Sequence, residues 1–456
     1  MLLIKCGKKK IKVVSHLHNN DGARFVEYKR LKDILNRQDI PYFDNYKVGN
    51  ILSMKLYHMC EIKEKNIFAL TKQILIKIAL ILFFDSYYIN FPNENISVNH
   101  KKFLFMYSVG DNKRLDLKRL FENVFNLFSN EEKVIFASRN KKRFIGFRYK
   151  NIFRFIKVYR SLKDLGSMFD RIFISLMVLQ IIEIKEKAKI IDVNKYSLFV
   201  TFCDVFEQDN LMVQTFRNEG IPTVSMQHGQ AYCKKGFETS DDLEYENFTA
   251  DYKLSWGPQT MNEMIKGGVE KSRIINVGTP KYIGQARNEI YGNNEHIFGV
   301  VFNNKESFQS NIEMIKDANK VCEKIKLKYC IKLHPADNLA NYERFINKKF
   351  VEYVFQHEPL EDYLKKVYFS IANYSSIYME LYYYYHPTLL YRNELTQKIF
   401  KDDFNTYKNY EELEEIYSDF VLKMDEYKEL IREKSHFYIS ENPEENIKKF
   451  LNSFKM

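Results

Sequence analysis

The sequence predicts an α/β protein made of two doubly wound domains that face each other across a cleft. Three observations support this prediction. The chain has 456 residues, which is too long for a single hydrophobic core. Strand-like and helix-like runs alternate through its second half, as they do in the βαβ units of parallel sheets. Residues 291–294, which contain glycine and asparagine, interrupt the alternation, so two series of elements are expected.

The first 190 residues are expected to be mixed and largely helical, because apolar residues recur at helical spacing in residues 115–128 and 162–185. The first βαβ unit follows, and Gly220 ends its helix in the C-cap region. Its strand, helix and strand are predicted at residues 197–202, 208–218 and 221–226.

The later elements follow the same logic of short apolar runs and amphipathic segments. The further predicted strands are residues 252–255, 274–277, 296–302, 329–333, 367–371 and 388–391. The further predicted helices are residues 258–266, 312–326 and 376–385, with helical periodicity from residue 410 onward. We place the domain boundary at about residues 283–295, which assigns residues 1–285 to the first domain and residues 286–456 to the second.

Composition narrows the possible classes of protein. Hydrophobic residues make up 45% of the chain, so global disorder is excluded. The six cysteines form no Cys-x-x-Cys pair, and a reduced, cytoplasmic compartment without zinc or disulfides is expected. No signal peptide is expected at residues 1–12. The most hydrophobic run, residues 74–84, is about half of the roughly 20 residues that a membrane span needs.

The net charge of +11 is unevenly distributed. Residues 1–160 contain 32 lysines and arginines against 14 acidic residues, so the remainder carries a net charge of about −7. The densest basic segment runs from Arg139 to Arg160 and contains nine basic residues, several aromatic residues and no acid. Three interpretations remain open: a solvated helix and loop with some core aromatics, contact with anionic lipid headgroups, and binding of single-stranded nucleic acid.

Polar residues follow each of two predicted strands of the first domain. Gln227-His228-Gly229 comes directly after a strand, and ligands of open α/β sheets bind at the carboxyl ends of strands. His228 is a candidate general base, since an imidazole titrates near neutral pH. Gly229 would let the backbone approach a ligand closely. Asp204 and Glu207 are alternative bases or caps of the following helix.

Three further motifs lie at strand ends later in the chain. In the motif Gly278-Thr279-Pro280-Lys281, Lys281 is a candidate to bind a phosphate. Alternation along the next motif places Lys332 and His334 on one face of a strand, which Pro335 ends. His334 is a candidate donor to a phosphate oxygen.

The paired serines Ser375 and Ser376 are expected to begin a helix, where backbone N–H groups and hydroxyls bind anions. Glu380 lies one turn further on, where its carboxylate can accept both hydroxyls of a ribose. An ordinary serine N-cap and a solvated glutamate are the structural alternatives. The chain has no P-loop, GxGxxG or HExxH pattern and no evident Asp-x-Asp clamp, so chemistry without metal or cofactor is predicted.

Together these motifs resemble those of two-domain, GT-B-type transferases of bacterial surface polymers over roughly residues 196–395. The group includes the CDP-glycerol glycerophosphotransferases and capsule glycosyltransferases with Lys-x-His-Pro and Ser-Ser motifs. The resemblance implies Rossmann-like domains, an acceptor-side first domain and a second domain that binds the nucleotide donor. It implies that His228 is the base, and that His334, Ser375 and Ser376 hold the donor phosphates.

The chain departs from the glycerophosphotransferase pattern where that family has an acid before Tyr-Ser-Ser, since Asn373 stands there. It also has Lys281 and Tyr282 where that family shows an arginine and an acid. We therefore expect an inverting, metal-independent glycosyltransferase that acts on a bacterial surface glycan, with a nucleotide sugar as donor. A polyol-phosphate transferase, a nucleotide-sugar epimerase of the same fold and a non-catalytic nucleic-acid- or membrane-binding protein are the alternatives.

Overall fold

The structure is a computed structural model. It describes residues 21–65, 67–90, 101–108, 115–128, 131–229, 232–233, 242–285, 287–303, 307–335, 337–373, 375–393, 396 and 405–455. The start at residues 1–12 and the motif residue Tyr374 therefore lie outside the described residues, as do the side chains of residues 139–142 in the basic segment.

The chain divides into two compact units. The first unit comprises the described residues up to Leu254, the segment Glu263–Ile275 and the described residues from Ile447 onward. The second unit comprises Ser255–Asn262 and Asn276–Asn446. The chain thus changes unit several times, whereas the predicted boundary at residues 283–295 assumed a single change.

The first unit contains a seven-stranded sheet. Its strands, in chain order, are β1 Phe84–Asn90, β2 Lys102–Tyr107, β3 Glu132–Phe144, β4 Tyr196–Thr201, β5 Thr223–Met226, β6 Tyr252–Ser255 and β7 Ile274–Asn276. Their order in the sheet is β1-β3-β2-β4-β5-β6-β7. The strands from β3 to β6 are parallel, and β1 pairs with β3 in the antiparallel sense. The winding direction reverses between β2 and β4, which makes the sheet doubly wound.

The helices associated with this sheet cover most of the first 190 residues, as predicted. Up to residue 190 they are α1 Asp21–Arg37, α2 Val48–Ile51, α3 Ser53–Lys65, α4 Ile67–Phe83, α5 Leu115–Phe125, α6 Tyr149–Ser161 and α7 Met168–Ala188. Beyond it follow α8 Glu207–Asn218, α9 Leu243–Glu246 and α10 Pro258–Lys266, and the division between the units falls within α10. Every residue of β4 is buried, which is typical of a parallel strand covered on both faces. The strands β1, β2 and β3 were not predicted individually.

The second unit contains a six-stranded sheet. Its strands are β8 Ile297–Val301, β9 Lys328–Lys332, β10 Val351–Phe355, β11 Ser370–Ala372, β12 Thr388–Tyr391 and β13 Thr406–Tyr407. The order is β10-β9-β8-β11-β12-β13, and all neighbours pair in parallel. The chain winds outward from β8 through β9 to β10, and then from β11 through β12 to β13. The switch point therefore lies between β8 and β11.

The helices that follow these strands are α11 Phe308–Ile325, α12 Leu360–Leu364, α13 Ser376–Tyr383, α14 Tyr410–Leu422, α15 Met424–Tyr438 and α16 Pro443–Asn452. Apolar side chains of β8, β9, β11 and α11 form a continuous buried cluster. The predicted fold class, α/β with two doubly wound domains, is confirmed. Among the described residues, no helix combines the length and apolar character that crossing a membrane requires.

Candidate functional site

The clearest candidate site lies at the carboxyl edge of the second sheet. Ser375 and Ser376 follow β11, one of the two strands at the switch point, and His334 follows β9, which adjoins the other. Ligands of open parallel sheets bind in the crevice outside this point. The topology therefore brings the predicted serine pair to the position where a ligand is expected.

Helix α13 begins at the residues that the sequence predicted. Ser375 is the N-cap in an extended conformation, and its side chain makes no capping hydrogen bond. Ser376 is the first helical residue, and both serines are half-buried. The first N–H groups of a helix have no partner within it, and they carry partial positive charge. This helix end can therefore bind an anion with backbone and hydroxyl donors together.

Glu380 and Lys281 form an ion pair, although they are 99 residues apart in the chain. The carboxylate is the less accessible partner, since the Glu380 side chain is 16% exposed and the Lys281 side chain 42%. Lys281 belongs to a 3₁₀ turn that Thr279 caps by accepting from the Lys281 N–H at 3.4 Å. Tyr282 then stacks on Tyr383 of α13, with ring centroids 3.6 Å apart. These contacts fix the Gly-Thr-Pro-Lys segment against α13.

Lys332 ends β9 and is buried. Its ammonium group donates to the backbone carbonyl of Glu358 at 2.9 Å and to that of Gln356 at 3.5 Å. Burial lowers the pKa of Lys332, Glu358 opposes this shift, and Lys281 adds to it. Lys332 therefore ties the end of β9 to the segment after β10, and its charge lies close to the Lys281–Glu380 pair.

His334 lies two residues beyond Lys332 and is half-buried. Its backbone carbonyl accepts from the Asp337 N–H at 2.9 Å, which closes the turn after Pro335. The Tyr342 hydroxyl donates to the Asp337 carboxylate at 2.5 Å, which anchors the end of the turn. The His334 imidazole is thus carried by a constrained turn at the ligand-binding edge.

His228 follows β5 in the first unit and is half-buried. Its ring centroid lies 5.6 Å from that of Phe202, which follows the neighbouring strand β4. The Gln227 side chain donates to the Gly229 carbonyl at 2.7 Å and closes the turn. A Cβ atom added at Gly229 would meet no atom of the described residues within 4 Å, so these residues leave the space beside it open.

Asp204 and Glu207 are engaged in contacts within the first unit. The buried Asp204 carboxylate accepts from Ser225 Oγ at 2.9 Å and from the N–H groups of Thr249 and Ala250 at 2.7 and 2.9 Å. Glu207 pairs with Lys55 at 3.3 Å. The expectation that either side chain caps α8 is wrong, because the N-cap is Phe206 and no side-chain capping bond is present.

Asp209 is a buried acid that sequence reasoning did not single out. It lies in the first turn of α8 and accepts from the hydroxyls of Ser108, after β2, and Thr201, at the end of β4. Burial raises its pKa to about 7, against the opposing effect of both hydroxyls. Its position at the switch between β2 and β4 depends on sheet order, and no local sequence signal marks it.

The predicted residues thus form two groups. Lys281, Lys332 and Glu380 lie together in the second unit, where Ser375 and Ser376 begin the helix that carries Glu380. His228, Gly229, Asp204 and Glu207 follow β4 and β5 in the first unit. Within the described residues, no group of three or more histidine, cysteine, aspartate or glutamate side chains is arranged to hold a metal ion.

No protein-family model and no curated protein matches the chain. Similar solved structures include a putative UDP-N-acetylglucosamine 2-epimerase from Listeria monocytogenes, with 11% identity, 78% of this chain and 95% of that chain covered, and a TM-score of 0.49. The UDP-GlcNAc 2-epimerase from Neisseria meningitidis has 12% identity, 77% and 99% coverage, and a TM-score of 0.45. The lipopolysaccharide outer core galactosyltransferase WaaB has 12% identity, 77% and 99% coverage, and a TM-score of 0.44. At this level of similarity, the ligands and activities named for these proteins do not carry over to the chain.

Proposed function

We propose that the protein is an inverting, metal-independent glycosyltransferase that uses a nucleotide sugar as donor. The acceptor is a hydroxyl of a growing, lipid-linked bacterial surface glycan, such as capsule or exopolysaccharide, at the cytoplasmic face of the plasma membrane. The observation that carries the proposal is the serine-bearing N-terminus of α13 at the switch point of a parallel sheet. The Lys281–Glu380 pair one turn away supports it.

In this proposal the second unit holds the donor. The phosphates lie at the N-terminus of α13, where Ser375 and Ser376 donate, and His334 donates to the oxygens that gain charge as the bond to the sugar breaks. Glu380 accepts the ribose hydroxyls, and Lys281 orients its carboxylate through the ion pair. Lys332 contributes positive charge from its buried position.

The first unit supplies the base and accommodates the acceptor. His228 removes the proton from the acceptor hydroxyl as its oxygen attacks the anomeric carbon. The bond from that carbon to the phosphate oxygen breaks on the opposite side, so the configuration inverts and the nucleotide leaves with the electron pair. The open space beside Gly229 leaves room for a ligand to approach the backbone.

A thermal-shift titration of the full chain against UDP, GDP, dTDP, CDP and CMP tests the donor site. A ligand that binds only the folded state raises the melting temperature. We expect one nucleoside diphosphate to respond, and His334→Ala to weaken its binding about tenfold or more through the lost phosphate hydrogen bond. His296→Ala, which alters a 67% exposed histidine of the same unit, is the matched control. A response to CDP alone favours the polyol-phosphate transferase, and silence across the panel contradicts both transferases.

The assignment of the base is tested by measuring sugar transfer from the nucleotide sugar whose nucleotide raises the melting temperature. We expect His228→Ala to abolish transfer and to leave nucleotide binding intact, while His58→Ala, at a 54% exposed histidine of the first unit, changes neither. Full activity in His228→Ala contradicts the assignment of the base. Isomerisation of the donor without an acceptor would identify an epimerase instead.

A further inference from the structure

Helix α6 of the first unit exposes an apolar stripe. Tyr149, Ile152, Phe153 and Ile156 are 59%, 39%, 69% and 42% exposed, respectively. Their spacing of three and four residues places them on one face of the helix. The opposite side carries the buried Val158 and packs on the protein. The apolar face of α6 is therefore exposed to solvent, whereas an amphipathic helix normally buries such a face.

The end of β3 and the loop before α6 expose further large apolar side chains. Phe144, Ile145 and Phe147 are 65%, 47% and 56% exposed. The loop is held in place because the Ile145 N–H donates to the Phe83 carbonyl at 3.0 Å, and the Phe83 ring lies 5.6 Å from that of Phe147. The aromatic side chains are thus presented by a backbone that is anchored to the end of α4.

Helix α4 adds a second apolar strip beside the first. Leu75 and Ile76 are 63% and 41% exposed. Asn151 of α6 donates to the Ile81 carbonyl of α4 at 2.8 Å, so the two helices are neighbours. We call the exposed apolar side chains of α6, its preceding loop and α4 the docking face. Large apolar side chains that are exposed on neighbouring elements in this way indicate an interaction surface.

The charges around the docking face are basic. Lys150, Lys157 and Arg160 are exposed on α6, and none of them forms an ion pair with a carboxylate in the part of the chain that the structure describes. The arginines that do have partners are Arg148, with Glu183 at 3.4 Å, and Arg154, with Glu186. Residues 139–160 contain no acid of their own. The face therefore combines apolar contact area with uncompensated positive charge.

We propose that the docking face binds the surface of an anionic lipid bilayer. An interfacial helix places its apolar side chains among the acyl chains and its lysines and arginines at the headgroups. Aromatic side chains favour that interface, and basic residues are attracted to anionic lipid. A protein partner or a second copy would require matching acidic groups, whereas anionic headgroups supply the counter-charge everywhere. This proposal deepens the proposed function, which places the protein at the membrane, but it does not use the donor site, so nucleotide binding and vesicle binding can fail separately.

Co-sedimentation of the full chain with vesicles tests the proposal. We expect binding to vesicles of phosphatidylcholine and phosphatidylglycerol in a 7:3 ratio, and much weaker binding to phosphatidylcholine alone. The double variant Phe153→Ser with Ile156→Ser should bind at least about tenfold more weakly, because two apolar contacts are lost. Lys150→Gln and Arg160→Gln should each weaken binding about fivefold at low salt.

Matched variants on the second unit control for general surface effects. Leu422→Ser removes an 83% exposed apolar side chain, and Lys348→Gln removes an exposed lysine. Both variants should bind vesicles as the unchanged chain does. Circular dichroism checks that each variant is folded. Equal binding to neutral and anionic vesicles, or equal loss in the Leu422→Ser control, would overturn the proposal. So would dimerisation or RNA binding that depends on Phe153 and Ile156 in the absence of vesicle binding.

Discussion

Asp209 makes the stability of the first unit depend on pH. Its pKa is raised from 3.8 to about 7 by burial, so the folded state holds a proton that the unfolded state releases. The resulting stability is fully present below about pH 4 and is lost as the pH rises through 7. The effect is on the order of 4 kcal/mol over that window. We expect Asp209→Asn, which stays neutral, to gain stability relative to the unchanged chain as the pH rises from 4.5 to 7.5.

The difference in stability between the two chains is measured for the first unit by urea denaturation, monitored through hydrogen exchange in β2 and β4. Asp33→Asn alters an exposed aspartate of α1 and should leave the pH dependence unchanged. A pH profile of Asp209→Asn that parallels the unchanged chain would show that Asp209 is ionised in the folded state.

His386 gives the second unit the opposite dependence. It is fully buried, its Nδ1 lies 3.2 Å from the Ile290 carbonyl, and its Nε2 lies 2.8 Å from Ser370 Oγ, which suits a neutral ring that donates from Nδ1. Burial lowers its pKa from 6.5 to about 3, so the unfolded state binds a proton that the folded state excludes. Stability is present above pH 6.5 and is lost as the pH falls towards 3, by an amount on the order of 5 kcal/mol.

The single tryptophan, Trp256, is buried in the second unit and reports its unfolding by fluorescence. We expect His386→Gln to lower stability at neutral pH through lost packing, but to flatten the decline between pH 6.5 and 4. His357→Gln, at an exposed histidine, should keep the full decline. An unchanged acid slope in His386→Gln would contradict the assignment of this proton linkage to His386.

At the level of elements, packing explains two glycines of the second unit, Gly278 of the Gly-Thr-Pro-Lys motif and Gly257 before α10. Gly278 has φ of +87°, and a Cβ atom there would lie 2.6 Å from the Ser440 carbonyl. A Cβ atom at Gly257 would lie 2.6 Å from the Tyr438 carbonyl. The Ser440 N–H donates to the Trp256 carbonyl at 2.7 Å, so the backbone at the end of α15 and just after it lies against the segments that contain Gly257 and Gly278. The glycine that begins the Gly-Thr-Pro-Lys turn therefore has a structural cause.

Gly278→Ala should consequently destabilise the second unit by about 2–4 kcal/mol, because it combines left-handed backbone strain with a backbone clash. Gly229→Ala is the matched control, since a methyl group there meets no neighbour within 4 Å and should leave stability unchanged. Trp256 fluorescence during urea unfolding measures the first variant, and circular dichroism measures the second. Equal midpoints for Gly278→Ala and the unchanged chain would contradict this account of the turn.

Some elements could be predicted from the local sequence, and others could not. The strand β6 and the helix α10 match their predicted ranges, because Pro258 begins the helix and Gly267-Gly268 follows it. The strand β10 was missed, since Val351–Phe355 lies at the sheet edge with mostly exposed or half-buried residues and has no clear alternation. That omission concerns the surroundings of Lys332, which the sequence places with His334 on one face of the neighbouring strand β9, because the contact of its ammonium group with carbonyls after β10 could not be predicted.

The start of α13 could be predicted because a serine N-cap is a local signal. The location of that helix at a switch point could not, because it depends on which strands are neighbours. The same is true of Asp209, whose hydroxyl partners are supplied by β2 and β4, almost one hundred residues apart in the chain. Local sequence thus identified the chemical groups of the candidate site in the second unit, and sheet order determined which of them meet.

At the scale of the whole molecule, the chain returns to its first unit at the end of α16. Ile447 and Leu451 are fully buried there. Phe450 lies 5.3 Å from the ring of Tyr252, and the Lys455 ammonium lies 5.5 Å from the ring centroid of Phe103. The final turns of α16 and the residues after it therefore cover side chains of β6 and β2. Residues far apart in the chain complete the core of one unit.

Leu451→Ala should therefore destabilise the first unit, although it lies near the end of the sequence. Truncation of a fully buried leucine costs about 2–5 kcal/mol, through lost burial and the cavity that remains. Hydrogen exchange should accelerate in β2 and β6 more than in β8 and β11, because only the first two strands belong to the unit that Leu451 packs into. Lys449→Ala, on the exposed side of the same helix, should change neither set. Equal acceleration in all four strands would mean that the chain unfolds as one cooperative body rather than as two units with separate cores.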